Sequence, residues 1–294
     1  MVQKFQLPDG RNLDYLISGA QDGFPLIFIH GTPGSYVAFS TLQVVCKDKG
    51  LKLITLSRAG YGGSTRNKGR RIVDAVQDIA ALAEHLGVKN CFVGGWSGGG
   101  PHALACAARL PGCTAALSIA GVGPWNAEGL DFLEGQGEDN VEEFTAALQG
   151  EETLRKFCDV ARPAMLQGGV TELIDAMASL LPPVDQEAML ANNLLGQFLV
   201  NTIKEGLKDN SDGWIDDDMA FTQPWGFELS EIRVPVFLYQ GSEDKMVPFA
   251  HGKWLAEHLP QDVARIHLLE GQGHISIFLG QLPYMVDGLL SIEH

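Results

Sequence analysis

A serine with glycine two residues away on either side, Gly95-Trp96-Ser97-Gly98-Gly99, sits where the apolar run Asn90-Cys91-Phe92-Val93 gives way to a helix-forming segment. A strand that becomes a helix within so few residues forces the residue at its apex into a strained backbone conformation, and the flanking glycines let the chain reverse without Cβ clashes. The spacing therefore predicts a strand-turn-helix whose apical hydroxyl stands clear of a sheet. At the start of the following helix, unpaired N–H groups and the positive end of the helix dipole face the same point, a setting suited to a developing negative charge. With 35 glycines in 294 residues such a spacing also arises by chance, so its surroundings carry the argument.

Those surroundings alternate. Residues 3–7 and 11–18 flank Pro8-Asp9-Gly10, a turn tripeptide, and read as an antiparallel pair. Then come Leu26-Ile27-Phe28-Ile29, a helical pattern near 38–49, the strand-like 51–56, and a helical pattern over 72–86 with apolar Ile72, Val76, Ile79, Leu82, Ala83 and Leu86, closed by Gly87. The Cys91 strand, a small-residue helix over 102–110 and the run 114–120 follow. Alternating β and α patterns predict an α/β fold with a mainly parallel sheet covered on both faces.

From Trp125 to Phe227 the character changes to helical patterns with no convincing strand, interspersed with glycines and acidic clusters such as Glu128–Glu143 and Asp216-Asp217-Asp218. Strand-like segments return at 234–240 and 263–269, so the middle block interrupts one fold. The expectation is a core formed by 1–124 and 228–294, with 125–227 as an inserted helical cap or lid.

Serine is a poor nucleophile at neutral pH and needs a histidine base oriented by a carboxylate. In parallel sheets the loops after the C-terminal strand ends converge on one edge, where ligands bind. Asp244 lies in the loop after Val236–Gly241 and His274 in the loop after Ile266–Leu269, within Gly271-Gln272-Gly273-His274. Glu243 competes with Asp244 for the acid role, and Asp244 could instead cap the helix beginning near Pro248.

The order Ser97, Asp244, His274 resembles that of the α/β-hydrolase family, and the likeness covers nearly the whole chain outside 125–227. Supporting matches are His30-Gly31-Thr32-Pro33-Gly34, Arg58-Ala59-Gly60-Tyr61-Gly62-Gly63-Ser64, and Gly241-Ser242-Glu243-Asp244 running to Val247-Pro248. The resemblance implies an oxyanion hole built from the N–H groups of Thr32 and Gly98. For Gly98 the helix-start argument agrees. It also implies acyl transfer through a Ser97 acyl-enzyme. Lid aromatics and thioethers suggest a small to medium, largely hydrophobic ester, lactone or thioester as substrate. Trp96, Trp125 and His102 are candidate substrate contacts, although His102 also reads as core packing, and His30 is expected to brace the oxyanion loop.

Two other readings stay open. A proline iminopeptidase-like aminopeptidase shares the His-Gly-X-Pro-Gly loop and the capped layout, but tryptophan precedes the serine here; it would need lid carboxylates such as Glu128, Asp131, Glu134 or Glu138 for a substrate ammonium. The other is a non-hydrolytic ligand-binding or lyase member of the same fold. No metal-ligand spacing, phosphate loop or dinucleotide fingerprint is present, so neither cofactor nor metal is expected. A net charge of −15 argues against nucleic acid and anionic membranes as partners. Five cysteines without a close-spaced pair, and no signal-like apolar run at the N-terminus, fit a cytoplasmic protein acting on a small molecule, with oligomeric state undetermined.

Overall fold

The structure, a computed structural model, describes residues 1–293. Its eight strands are β1 (Gln3–Gln6), β2 (Asn12–Gly19), β3 (Phe24–Ile29), β4 (Leu51–Leu56), β5 (Cys91–Trp96), β6 (Cys113–Ile119), β7 (Val236–Gly241) and β8 (Ala264–Leu269). They form one sheet in the order β1-β2-β4-β3-β5-β6-β7-β8. β2 runs antiparallel to both β1 and β4, and every pairing from β4 to β8 is parallel. The central strands β5 and β7 are buried along their whole length, as expected for strands covered on both faces.

The sheet is flanked by α1 (Ser40–Asp48), α2 (Ala75–His85), α3 (Gly99–Arg109), and by two later helices near the C-terminus. Between β6 and β7 the chain makes no strand and instead forms α4 (Glu138–Leu148), α5 (Glu151–Leu166), α6 (Val170–Ala176), α7 (Pro183–Ala191), α8 (Asn193–Gly206) and α9 (Asp212–Phe221). α10 (Phe249–His258) and α11 (Leu282–Leu290) then complete the flanking layers. The helix expected over 72–86 is divided: a short 3-10 turn, Ile72–Asp74, precedes α2. The helix after the serine starts at Gly99, three residues before its expected beginning.

Two apolar clusters sandwich the sheet. One, around Ile27, Ile54, Ile79, Leu104 and Leu238, packs beneath α2 and α3. The other joins core residues Leu42, Trp96 and Phe278 to Leu154, Leu199, Ile203 and Trp214 of the helical segment. The segment is thus packed onto the core through a shared apolar interior. All five cysteines are buried and unpaired, acting as small hydrophobes. No described helix is long and apolar enough to cross a membrane.

Candidate active site

Ser97 follows β5 directly at φ +55°, a left-handed conformation that costs a side-chain-bearing residue free energy and is held here by its surroundings. Its N–H donates to Ile119 O at 2.8 Å and its carbonyl accepts from Gly100 N–H at 2.8 Å. The turn is tight enough that a Cβ at Gly95 would lie 2.1 Å from Gly99 O, and one at Gly99 would lie 2.3 Å from Ile29 O. The glycine spacing in the sequence is therefore a packing requirement, and it lifts the serine side chain off the sheet edge.

The loops after β7 and β8 bring Asp244 and His274 together. His274 Nδ1 donates to Asp244 Oδ2 at 2.7 Å, with both side chains buried. A proton on Nδ1 leaves Nε2 as the basic nitrogen. The carboxylate is itself fixed: Oδ1 accepts from Met246 N–H at 2.9 Å and Val247 N–H at 2.8 Å, and Oδ2 also accepts from Gln240 Nε2 at 3.1 Å. Its competitor Glu243 is exposed and meets Ser242 instead.

The histidine loop is clasped from the helical segment. Asp185 of α7, fully buried, accepts His274 N–H through Oδ2 at 2.8 Å, and Ile275 and Ser276 N–H through Oδ1 at 3.1 and 2.8 Å. Burial raises its pKa, an effect the Ser276 N–H and the nearby His274 oppose. Trp96 adds a further brace, donating from Nε1 to His274 O at 3.2 Å, with its ring 5.2 Å from the imidazole.

On the other side of Ser97 lies the loop after β3. Neither Thr32 N–H nor Gly98 N–H is engaged by a protein acceptor among the described residues. A Cβ at Gly98 would sit 2.2 Å from Thr32 Oγ1, so the two residues are in close apposition. The Thr32 hydroxyl is spoken for: it donates to Asp217 Oδ2 at 2.6 Å and accepts from Arg58 Nη2 at 2.9 Å. Arg58 also donates to the carbonyls of His30 and Gly31, and its main-chain N–H donates to His30 Nε2 at 3.0 Å. His30 Nδ1 in turn donates to Gly31 O at 2.6 Å, so this histidine braces the loop. Burial, then the Arg58 charge, hold it neutral with a pKa well below the usual histidine value.

Behind this loop Asp217 of α9 is the centre of a buried ion network. It pairs with Arg58 and with Arg70 Nη2 at 2.6 Å, and accepts from Tyr61 OH at 2.8 Å. Burial alone would raise its pKa, but Arg58 and Arg70 keep it well below the carboxylate norm. His102, fully buried, packs behind the elbow and donates from Nδ1 to Gly98 O at 2.8 Å; burial and Arg58 lower its pKa to about 3. It lines no cavity beside Ser97, in contrast to its reading as a substrate contact, because its ring points into the ion network.

Two cavities flank the serine. One, about 440 Å³, is lined by Ser97, His274, Trp96, Leu173, Met189 and Ile203, among others. The second, about 560 Å³, is lined by Ser97, Gly98, Glu143, Phe144, Asp218 and Phe221, among others. Trp96 thus reaches a cavity wall, whereas Trp125 does not reach either. Asn126 at φ +57° follows it, and its ring packs against Phe132 at 5.0 Å. Glu128, Asp131, Glu134 and Glu138 also lie outside both linings. Among the described residues no three His, Cys, Asp or Glu side chains are grouped to hold a metal ion.

Asp185, Asp217, Glu143 and Asp218 are not singled out by motif, since charges on helical segments read as solvated faces. One signal exists in the sequence: Asp216-Asp217-Asp218 lies between Trp214-Ile215 and Met219-Ala220-Phe221, and three consecutive acids in so apolar a stretch cannot all face solvent.

Comparison with known proteins agrees with this architecture. The sequence model of the alpha/beta hydrolase fold matches residues 25–281. A non-heme chloroperoxidase of Streptomyces lividans is 26% identical over 247 residues, covering 82% of each chain. A bifunctional esterase/perhydrolase of Acinetobacter calcoaceticus is 26% identical over 265 residues, covering 85% of each. Among solved structures, a thermophilic esterase from Thermogutta terrifontis superposes with a TM-score of 0.70 at 16% identity, over 99% of this chain and 98% of that one.

Proposed function

Because the chain belongs to the alpha/beta hydrolase fold family, we propose that it is a serine hydrolase in which Ser97 is acylated and deacylated under base catalysis by His274. The observation that carries this reading is the convergence at one sheet edge of a strained, cavity-lining Ser97 and the His274–Asp244 pair at 2.7 Å. The esterase and haloperoxidase relatives support it.

In this mechanism His274 Nε2 takes the Ser97 proton as Oγ attacks the substrate carbonyl. The N–H groups of Thr32 and Gly98 hold the oxyanion, at a helix start that already favours negative charge. Asp244 keeps the proton of the neutral imidazole on Nδ1 and stabilises the imidazolium. The histidine then protonates the leaving group, and water, deprotonated by the same nitrogen, releases the acid. The apolar cavity beside His274 receives a hydrophobic leaving group of small to medium size, and the helical segment between β6 and β7 acts as a cap that walls both cavities.

The test is turnover of nitrophenyl esters by wild type and Ser97→Ala, with fluorophosphonate labelling read by mass spectrometry. Release of nitrophenol and labelling at Ser97, both lost in the variant, are expected. A folded wild type that neither labels nor turns over would overturn the reading and favour a ligand-binding or lyase role.

A further inference from the structure

The cavity on the Gly98 side of Ser97 contains two carboxyl groups, Glu143 from α4 and Asp218 from α9, and no lysine, arginine or histidine lines it. Asp218 is 1% exposed, and neither of its carboxylate oxygens meets a hydrogen-bond donor. Glu143, partly buried, accepts from Trp214 Nε1 at 2.7 Å and lies within hydrogen-bond reach of Asp218. The neighbouring acids of α9 differ: Asp216 is paired with Arg66 and Asp217 with Arg58 and Arg70, while Asp218 makes no ion pair among the described residues.

Two facing carboxyls without a cation are costly in a wall otherwise built from Phe144, Met165, Met177 and Phe221. Burial, followed by the charge of Glu143, pushes Asp218 well above the usual carboxylate range, and burial raises Glu143 as well. Sharing a proton, the pair keeps one negative charge without a counter-charge, and Asp218 receives no N–H donor. A neutral alkyl chain entering the cavity leaves both needs unmet, whereas a protonated amine meets both, with aromatic faces nearby to favour a cation.

The position of this pair relative to the reaction follows from the two cavities. His274 lines the other one, and the group that receives its proton, the leaving group, lies on that side. The acyl portion then extends past Gly98 toward Glu143 and Asp218. We propose that Glu143 and Asp218 form a recognition site for a protonated primary or secondary amine on the acyl portion of the substrate, making the substrate class amino-acyl esters, thioesters or amides. The inference rests on Ser97 being the acylated residue.

The experiment compares p-nitrophenyl esters of α-, β- and ω-amino acids with the isosteric alkanoyl esters, using wild type, Glu143→Gln, Asp218→Asn, the double variant and Ser97→Ala. In parallel, cyclohexylammonium and cyclohexanol are titrated calorimetrically into wild type and the double variant, whose folding is checked by circular dichroism. For at least one amine position, wild-type kcat/KM is expected to exceed that of the matched alkanoyl ester by tenfold or more. In the double variant the ratio of the two kcat/KM values should lose that preference, with Glu143→Gln alone losing part of it. Ser97-dependent turnover without an amine preference, or a preference that survives the double variant, would overturn the proposal. If neither ester series shows Ser97-dependent turnover, the hydrolase reading fails and calorimetry decides the amine site by itself. Saturable cyclohexylammonium binding that needs both carboxyls supports the site, and its absence refutes it.

Discussion

Asp185 accepts the main-chain N–H of His274 at 2.8 Å, so a helix of the segment between β6 and β7 holds the loop that carries His274. The same carboxylate also receives Ile275 and Ser276 N–H, making it the cap of the short 3-10 turn Ser276–Phe278. Asp185→Asn replaces one acceptor oxygen by an amide NH2 group, itself a donor, that faces a main-chain N–H. Hydrogen bonds to a charged group are worth about 1.5–3 kcal/mol, so kcat for ester hydrolysis should fall about 10- to 100-fold with KM little changed. Glu at the same position should not restore it, because a Cβ at the facing Gly273 would already lie 2.4 Å from Asp185 Oδ1 and leaves no room for a longer side chain. Unchanged kcat in a folded Asp185→Asn variant would show that the histidine loop needs no such hold.

The apposition of Thr32 and Gly98 leads to a second expectation. In Gly98→Ala the new methyl meets Thr32 Oγ1 at 2.2 Å, and the hydroxyl cannot yield easily because Asp217 and Arg58 pin it. Displacing one oxyanion donor costs about 10²–10³-fold in kcat. Steady-state kinetics on Gly98→Ala should show a loss of that order, while fluorophosphonate labelling of Ser97 slows without being abolished. Near-normal kcat would exclude this pair of N–H groups as the oxyanion site.

Asp217→Asn leaves Arg58 and Arg70 facing each other without their buried counter-charge. Breaking such a pair typically costs about 3–5 kcal/mol. Thermal unfolding should show a lowered Tm, and Asp217→Asn combined with Arg70→Met should recover part of it. A double variant no more stable than the single one would mean that Arg70 is not the residue left unsatisfied.

Acid stability depends on His251. Its Nδ1 accepts from Gly123 N–H at 3.0 Å and its Nε2 donates to Phe132 O at 3.0 Å, so protonation sets one N–H against another. Burial lowers its pKa from 6.5 to about 4. Between these values the unfolded chain binds the proton and the folded one does not, so stability is full above about pH 6.5 and is lost as pH falls toward 4. The loss from this group is on the order of 3 kcal/mol when complete. Urea midpoints measured from pH 7 to pH 4.5 should fall more steeply for wild type than for His251→Gln, and equal slopes would refute the assignment.

The sequence shows the parts of the site that lie at strand ends and misses those that reach it from the helical segment. Ser97, Asp244 and His274 each follow an apolar run, and a parallel sheet brings such positions to one edge by geometry alone. Asp185 and Asp217 reach the same place through tertiary packing of α7 and α9, for which local periodicity carries no information. Trp125 illustrates the converse: as a lid aromatic it reads as a pocket residue, but the chain turns at Asn126 and delivers the ring to Phe132. His102 follows the elbow closely, yet the helix that starts at Gly99 points it at Gly98 O and away from the cavities.

The two carboxylates that the helical segment sends into the core, Asp185 to the histidine loop and Asp217 to the Thr32 loop, limit how this chain can be recombined. A chimera that exchanged residues 125–227 for the same region of a relative would keep Ser97, Asp244 and His274 in sequence. Where the donor lacks acids at the positions of Asp185 and Asp217, it would also lose the hold on the His274 loop and strand Arg58 and Arg70 without a counter-charge. Exchange of substrate preference by grafting therefore requires a donor that brings its own acid to both places, or compensating changes at Arg58 and Arg70 in the recipient.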